Sequence, residues 1–366
     1  MNKVISSKLN KLRQWITTHQ VTAFFIITFA ISWGLGYTWI LMADKQIFLL
    51  APLALTAMCG PSLAGIIISA LSNTQPKVGT NRSHWVAFLI AWIVCMLVFL
   101  ANNSFINHAP FSPIMLIFTI VSVVPVAFVV SMIYSRIPTV RNFLTSLIRV
   151  RSAWGWALLA LVLTPLLVLF SILINSFLHQ QPITAYQLPK ISLALIGLIT
   201  IKFLYQFFFF NATGEETGWR GFALPRLQSL TSPLVACLVL NLFWGPWHLF
   251  LWWSEGNPVF SLEFWARSFL SLFAGTVTLC WFYNRSKGSI LVAGVAHAAA
   301  NTTLWLFPNL EWTVYNWTMV AAALVMILVD RMWKKLSSDH LAVYVNPVKF
   351  EPKDNSLFTS SELSHE

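Results

Sequence analysis

Three apolar stretches of this chain carry side chains able to do chemistry. The first is Asn211-Ala-Thr-Gly-Glu-Glu-Thr-Gly-Trp-Arg-Gly-Phe-Ala-Leu-Pro-Arg226, directly after Phe207-Phe208-Phe209-Phe210. The second is Leu242-Phe-Trp-Gly-Pro-Trp-His-Leu-Phe250, with His248, and the third is Gly294-Val-Ala-His-Ala-Ala-Ala-Asn301. Ionisable groups in such surroundings are costly to keep and are functional by default. On a helix, Glu216 and Arg220 are i,i+4 neighbours able to pair, and so are His297 and Asn301. Glu215 is turned ~100° away from Glu216. One carboxylate thus has a built-in partner and the other does not, which points to one structural and one chemical role.

Glu215-Glu216-x-x-x-Arg220, then aromatic Trp244-x-x-x-His248, then His297-x-x-x-Asn301, each in its own apolar segment, resembles the CAAX-protease and bacteriocin-processing (CPBP, or ABI) family of intramembrane proteases. The resemblance covers roughly residues 190-308. Gly60-Pro-Ser-Leu-Ala-Gly65 resembles a weaker feature of the same family. One departure stands out: the second motif usually begins with Phe, and here position 244 is Trp.

The resemblance implies a peptide hydrolase acting at membrane depth. In that allocation Glu215 is the general base, because burial moves a carboxylate toward the range useful for proton transfer at neutral pH. His248 shares the water with it, and His297 and Asn301 donate to the developing oxyanion. Glu216, Arg220 and Trp244 support the site. Zinc held by Glu215, His248 and His297, with a fourth position open for water, is the competing mechanism. The chain has no His-Glu-x-x-His helix, and the metal-free, glutamate-activated route is preferred. Each residue also has a plainer role: a structural ion pair for Glu216–Arg220, a protonated acid joining helices for Glu215, and an aromatic-belt histidine for His248. Interhelical hydrogen bonding is the plainer role for His297–Asn301 and the expected one for Asn211 and Asn241. If all these roles are structural, the protein is a non-catalytic peptide-binding or scaffold protein of the membrane. A transporter should show paired repeats, and none is visible.

Elements must carry these groups into register. The chain has 366 residues, 57% hydrophobic and 10% charged, against roughly 25% charged in soluble domains. That composition predicts an all-α, polytopic transmembrane bundle of about 8-10 membrane helices. The candidate spans are 20-42, 47-71, 85-102, 114-134, 154-178, 191-213, 233-253, 264-283, 289-307 and 313-333. Of the 23 Lys and Arg, 19 fall on one side of this alternation, so the net charge of +11 reflects membrane orientation rather than nucleic acid. Both termini are then cytoplasmic in a cell membrane of bacterial type. Ending the sixth span at 213 leaves Glu215 at the rim. A helix over about 203-226, with 191-202 as a preceding piece or part of a tilted span, buries it, and the resemblance favours that version.

Residues 1-19 read as a basic amphipathic helix in the interface rather than a cleavable signal, and 137-152 as a similar segment. The transmembrane domain runs over 20-336, and 337-366 read as a disordered cytoplasmic tail. The ending Ser364-His-Glu366 makes the chain no CAAX substrate itself. Pro125, Pro165 and Pro246 are expected to kink their helices. Lys202 and Arg267 are expected to snorkel. Cys59, Cys95, Cys237 and Cys280 read as small buried hydrophobes without disulfides. The expected partners are lipid and a membrane peptide or protein substrate.

Overall fold

The computed structural model describes residues 2–43, 51–148, 153–180, 182–183 and 190–337, and these form a helical bundle without a strand. The proposed tail from 338 onward lies outside the described residues. The helices are α1 (Asn2–Thr18), α2 (Gln20–Ala43), α3 (Ala51–Met58), α4 (Gly60–Leu71), α5 (Asn81–Ala101), α6 (Pro113–Ser122), α7 (Val124–Ser131) and α8 (Pro138–Leu144). They continue with α9 (Trp154–His179), α10 (Leu193–Gln206), α11 (Leu224–Leu230), α12 (Pro233–Trp247), α13 (Leu249–Ser254), α14 (Leu262–Arg285), α15 (Ile290–Leu306) and α16 (Trp312–Val329). Wide π-helical turns over Phe207–Glu216 and Trp219–Ala223 join α10 to α11.

Seven helices among the described residues are long and apolar enough to cross a membrane, and an eighth if the bent pair Pro52–Met58 and Gly60–Leu71 is one span. Helices occupy all ten predicted segments. Of the remaining two, α15 is short at 17 residues, and α14 carries Glu263, Arg267 and Arg285. Leu97, Leu158 and Phe177 are among the large apolar side chains left facing outward, as a lipid-facing exterior requires.

Prolines mark several breaks. Pro125 stands in the first turn of α7, just after the interruption at Val123, and Pro246 stands one residue before α12 ends. Pro165 does not interrupt α9, which runs unbroken across it. Leu193–Leu230 is one helical run of 38 residues, so Glu215 is carried well inside the run. That length far exceeds an upright crossing of a ~30 Å hydrocarbon layer.

Two of the basic side chains are tied to the bundle. Arg13 Nε donates to Leu71 O (3.0 Å) and Arg226 Nε donates to Gln20 Oε1 (2.7 Å). Helix α8 covers part of the 137-152 segment: Val140, Phe143 and Leu144 are buried, Asn142 is exposed, Phe143 packs edge-on against Phe222 at 5.7 Å, and 149–152 lie outside the described residues. All four cysteines are buried and unbridged. Lys202 lies half-buried between the rings of Tyr205 and Trp305, and Arg267 is exposed and paired with Glu263.

Candidate active site

The site is built around the π-helical stretch. Gly214 and Gly218 let the broken helix α3–α4 lie directly on it. A Cβ at Gly214 would meet Met58 O at 3.0 Å, and one at Gly218 would overlap the backbone of Pro61. Thr213 and Thr217 donate their hydroxyls to carbonyls five residues back, Phe208 O and Ala212 O, which suits the wider turn. Ser62, in the first turn of α4, donates to Thr213 O and, at 2.9 Å, to Gly214 O. The backbone immediately before Glu215 is therefore held from the N-terminal half of the chain. From the other side Gly294 of α15 closes on Ala212, where a Cβ would stand 2.6 Å from the Ala212 Cβ.

Glu216 and Arg220 form the pair that their spacing predicts. Arg220 Nη1 donates to Glu216 Oε1 at 3.0 Å, with both side chains out of solvent. The same oxygen receives His297 Nδ1 at 2.8 Å. A carboxylate oxygen only accepts, so this nitrogen carries the proton and His297 Nε2 faces away. Glu216 is thus the hub of a buried charge network spanning two elements.

Glu215 is also buried, but it is not without a partner. Trp244 Nε1 donates to its Oε2 at 2.6 Å, and His248 Nε2 lies 3.6 Å from the same oxygen. Local spacing could not show this contact, because Trp244 comes from another helix. His248 is oriented by the end of α12. Its backbone N–H turns back to Gly245 O (3.1 Å), a tighter turn than an α-helix makes, while its ring Nδ1 reaches Trp244 O (2.8 Å). A carbonyl cannot donate, so Nδ1 is the protonated nitrogen and Nε2 of the neutral ring is an acceptor. The chain restarts as α13 immediately after His248, and Trp252 stacks on the imidazole at 4.8 Å.

Asn301 donates to Asn211 Oδ1 at a long 3.4 Å, so Asn211 makes the interhelical contact expected of it. Asn241 does likewise, donating to Phe269 O and accepting from Thr276 Oγ1 at 3.3 Å each. The structure therefore joins Glu215 to His248 and Trp244, Glu216 to His297 and Arg220, and Asn301 to Asn211. The Trp244 ring touches both histidines, with centroids 5.2 Å from His248 and 5.7 Å from His297.

For zinc, the fit is poor as the side chains stand. His297 gives Nδ1 to Glu216, which leaves Nε2 as the only ring nitrogen a metal could take. Among the described residues no three His, Cys, Asp or Glu side chains are grouped to hold a metal ion. Chemically, the centre presents two acceptors, Glu215 Oε2 and His248 Nε2, converging on one small space that only a proton or a hydrogen-donating molecule can satisfy.

Residues 196–303 match the family model described as Rce1-like, Type II CAAX prenyl endopeptidase. All seven motif residues lie inside that stretch, and the resemblance they carry is shown there. A curated relative, "CAAX prenyl protease 2" of Methanococcus maripaludis, is 30% identical over 134 residues, 34% of this chain and 49% of the relative. The chain thus spans about half the length of the curated relative it matches. The family and the relative support a peptidase with several apolar helices in a membrane.

Proposed function

We propose that the protein is an intramembrane endopeptidase in which Glu215 and His248 activate water. The observation that carries this reading is the pair of buried acceptors facing each other across 3.6 Å. A water beside that gap can donate one hydrogen to each. Glu215 takes a proton as the water oxygen bonds to the scissile carbonyl carbon, and His248 holds the remaining hydrogen. The carbonyl π-electrons move onto oxygen. Collapse of the tetrahedral species breaks the C–N bond, and Glu215 returns the proton to the leaving amine.

Oxyanion stabilisation falls to His297 and Asn301. His297 has given its Nδ1–H to Glu216, so it donates from Nε2 only as an imidazolium. Asn301 is free to turn from its long bond with Asn211. No step requires a metal.

Substrates are peptides or proteins at the membrane. The relative's name points to prenylated chains, and leader peptides or bacteriocins, with a self-immunity role, fit the same chemistry. The protein is placed as a multi-pass protein of a bacterial-type cell membrane, both termini cytoplasmic, with lipid and no nucleic acid as a partner. The rival is a non-catalytic peptide-binding membrane protein, favoured by the internal partners that already occupy His297 and Asn301.

The test is cleavage of a membrane-bound reporter peptide by purified protein, with and without a strong chelator. Glu215→Gln and His248→Ala should each cost about 10²–10⁴-fold in rate, and chelator should cost nothing. Loss in chelator restored by zinc would replace the mechanism with a metal-dependent one. Equal signal from wild type and both variants would leave the peptide-binding rival.

A further inference from the structure

Trp244 contacts more of the site than any packing role requires. Its indole N–H donates to Glu215 Oε2 at 2.6 Å, while its main-chain carbonyl accepts from His248 Nδ1 at 2.8 Å. Its ring lies over the Arg220 guanidinium, 4.6 Å from the centroid, and meets both imidazoles edge-on. The whole residue is buried. An indole N–H donates and never accepts, so it commits one specific oxygen of Glu215 to a fixed direction. The carbonyl commits one specific nitrogen of His248 and leaves the other facing Glu215.

Phenylalanine, the usual residue at the start of this motif, would keep the ring contacts and the carbonyl. It would lose the donor to Glu215. The indole N–H is therefore something this chain adds. We propose that Trp244 is the positioning residue of the site, aligning Glu215 through its side chain and His248 through its backbone, so that both groups meet the water from one rigid frame. The proposal rests on the protease reading. A base held within a fraction of an ångström of its productive geometry is worth orders of magnitude in rate, and a loosened one costs turnover rather than substrate affinity.

The test separates the N–H from the bulk of the ring. Position 244 is replaced by β-(benzothiophen-3-yl)alanine, which keeps the bicyclic shape and has no N–H, and in parallel Trp244→Phe is made. Rates are measured on the membrane-bound reporter peptide. Both variants are expected to lose at least about tenfold in kcat with KM within about twofold of wild type. The benzothienyl variant should still fold, with the ring packing kept and the thermal midpoint lowered by no more than the loss of one buried hydrogen bond. A benzothienyl variant as active as wild type would overturn the proposal, and so would a loss confined to KM.

A second readout does not depend on turnover. The indole ¹⁵N–H resonance of Trp244, identified by its disappearance in Trp244→Phe, should move in Glu215→Ala. If wild type cleaves no faster than Glu215→Gln, the protease reading fails by itself. An indole resonance unmoved by Glu215→Ala would then overturn the contact as well.

Discussion

At the residue scale the two adjacent glutamates are separated by what they bind. Glu216 balances Arg220 and His297, so its loss should unfold the protein before it informs on chemistry. Glu216→Ala leaves Arg220 as a buried cation without its counter-charge, and removal of one partner of such a pair costs about 3–5 kcal/mol. A large drop in thermal midpoint in detergent is the expected result. Glu215→Gln should be the opposite case, with near-native stability and the large loss of turnover given above, because an amide can still accept from Trp244. A third carboxylate bears on pH. Glu311 caps α16 by accepting from the Val314 backbone N–H at 2.7 Å. Burial is the largest single influence and pushes its carboxyl up, but the Val314 and Thr313 amides, the Thr313 hydroxyl and the charge of His179 together outweigh it and hold the group below the ordinary carboxylate value. Its folded value is the depressed one, so its contribution is present above the ordinary carboxylate range and is lost as pH falls through the lower, folded value. The stability difference between wild type and Glu311→Gln should therefore shrink on acidification, and a difference that stays constant would refute the cap.

At the element scale the π-helical stretch and the broken helix α3–α4 act as one unit. The α3–α4 pair bends by 63°, and its apex presents Pro61 and Ser62 to the turn that carries Glu215. Gly218→Ala should fail to accumulate as folded protein, since its Cβ would overlap the Pro61 backbone, which is fixed in the first turn of α4. Gly197→Ala on α10 meets nothing within 4 Å and should be neutral or stabilising by about 0.5–1 kcal/mol. Ser62→Ala should lower kcat more than stability, because it frees the carbonyls just before Glu215 while leaving the apolar packing in place. Comparing kcat with thermal midpoint for that variant decides between a support for the base and ordinary packing.

At the scale of the whole molecule the alternation of basic loops predicts sidedness. That alternation predicts the 73–80 loop on the cytoplasmic side and the 255–261 loop on the opposite one. With the four native cysteines buried, Gln75→Cys and Glu255→Cys should react with impermeant thiol reagents from opposite faces of the membrane. Labelling from the same face would mean that a helix counted as crossing does not cross.

What could be read from the chain alone was whatever depends on neighbours in sequence. Apolar length located helices in all ten segments, and i,i+4 spacing identified Glu216–Arg220, because a helix converts spacing into contact. The three motifs likewise carried the resemblance, since each lies within one continuous helical run. The tertiary structure decided what crosses between helices: Trp244 on Glu215, His297 on Glu216, Asn301 on Asn211 and Ser62 on the turn before Glu215. It also decided that this turn is π-helical and that the apolar face of α8 packs on Phe222. Those outcomes depend on how closely backbones approach, and glycines 214, 218 and 294 govern that approach only through the partners folded against them.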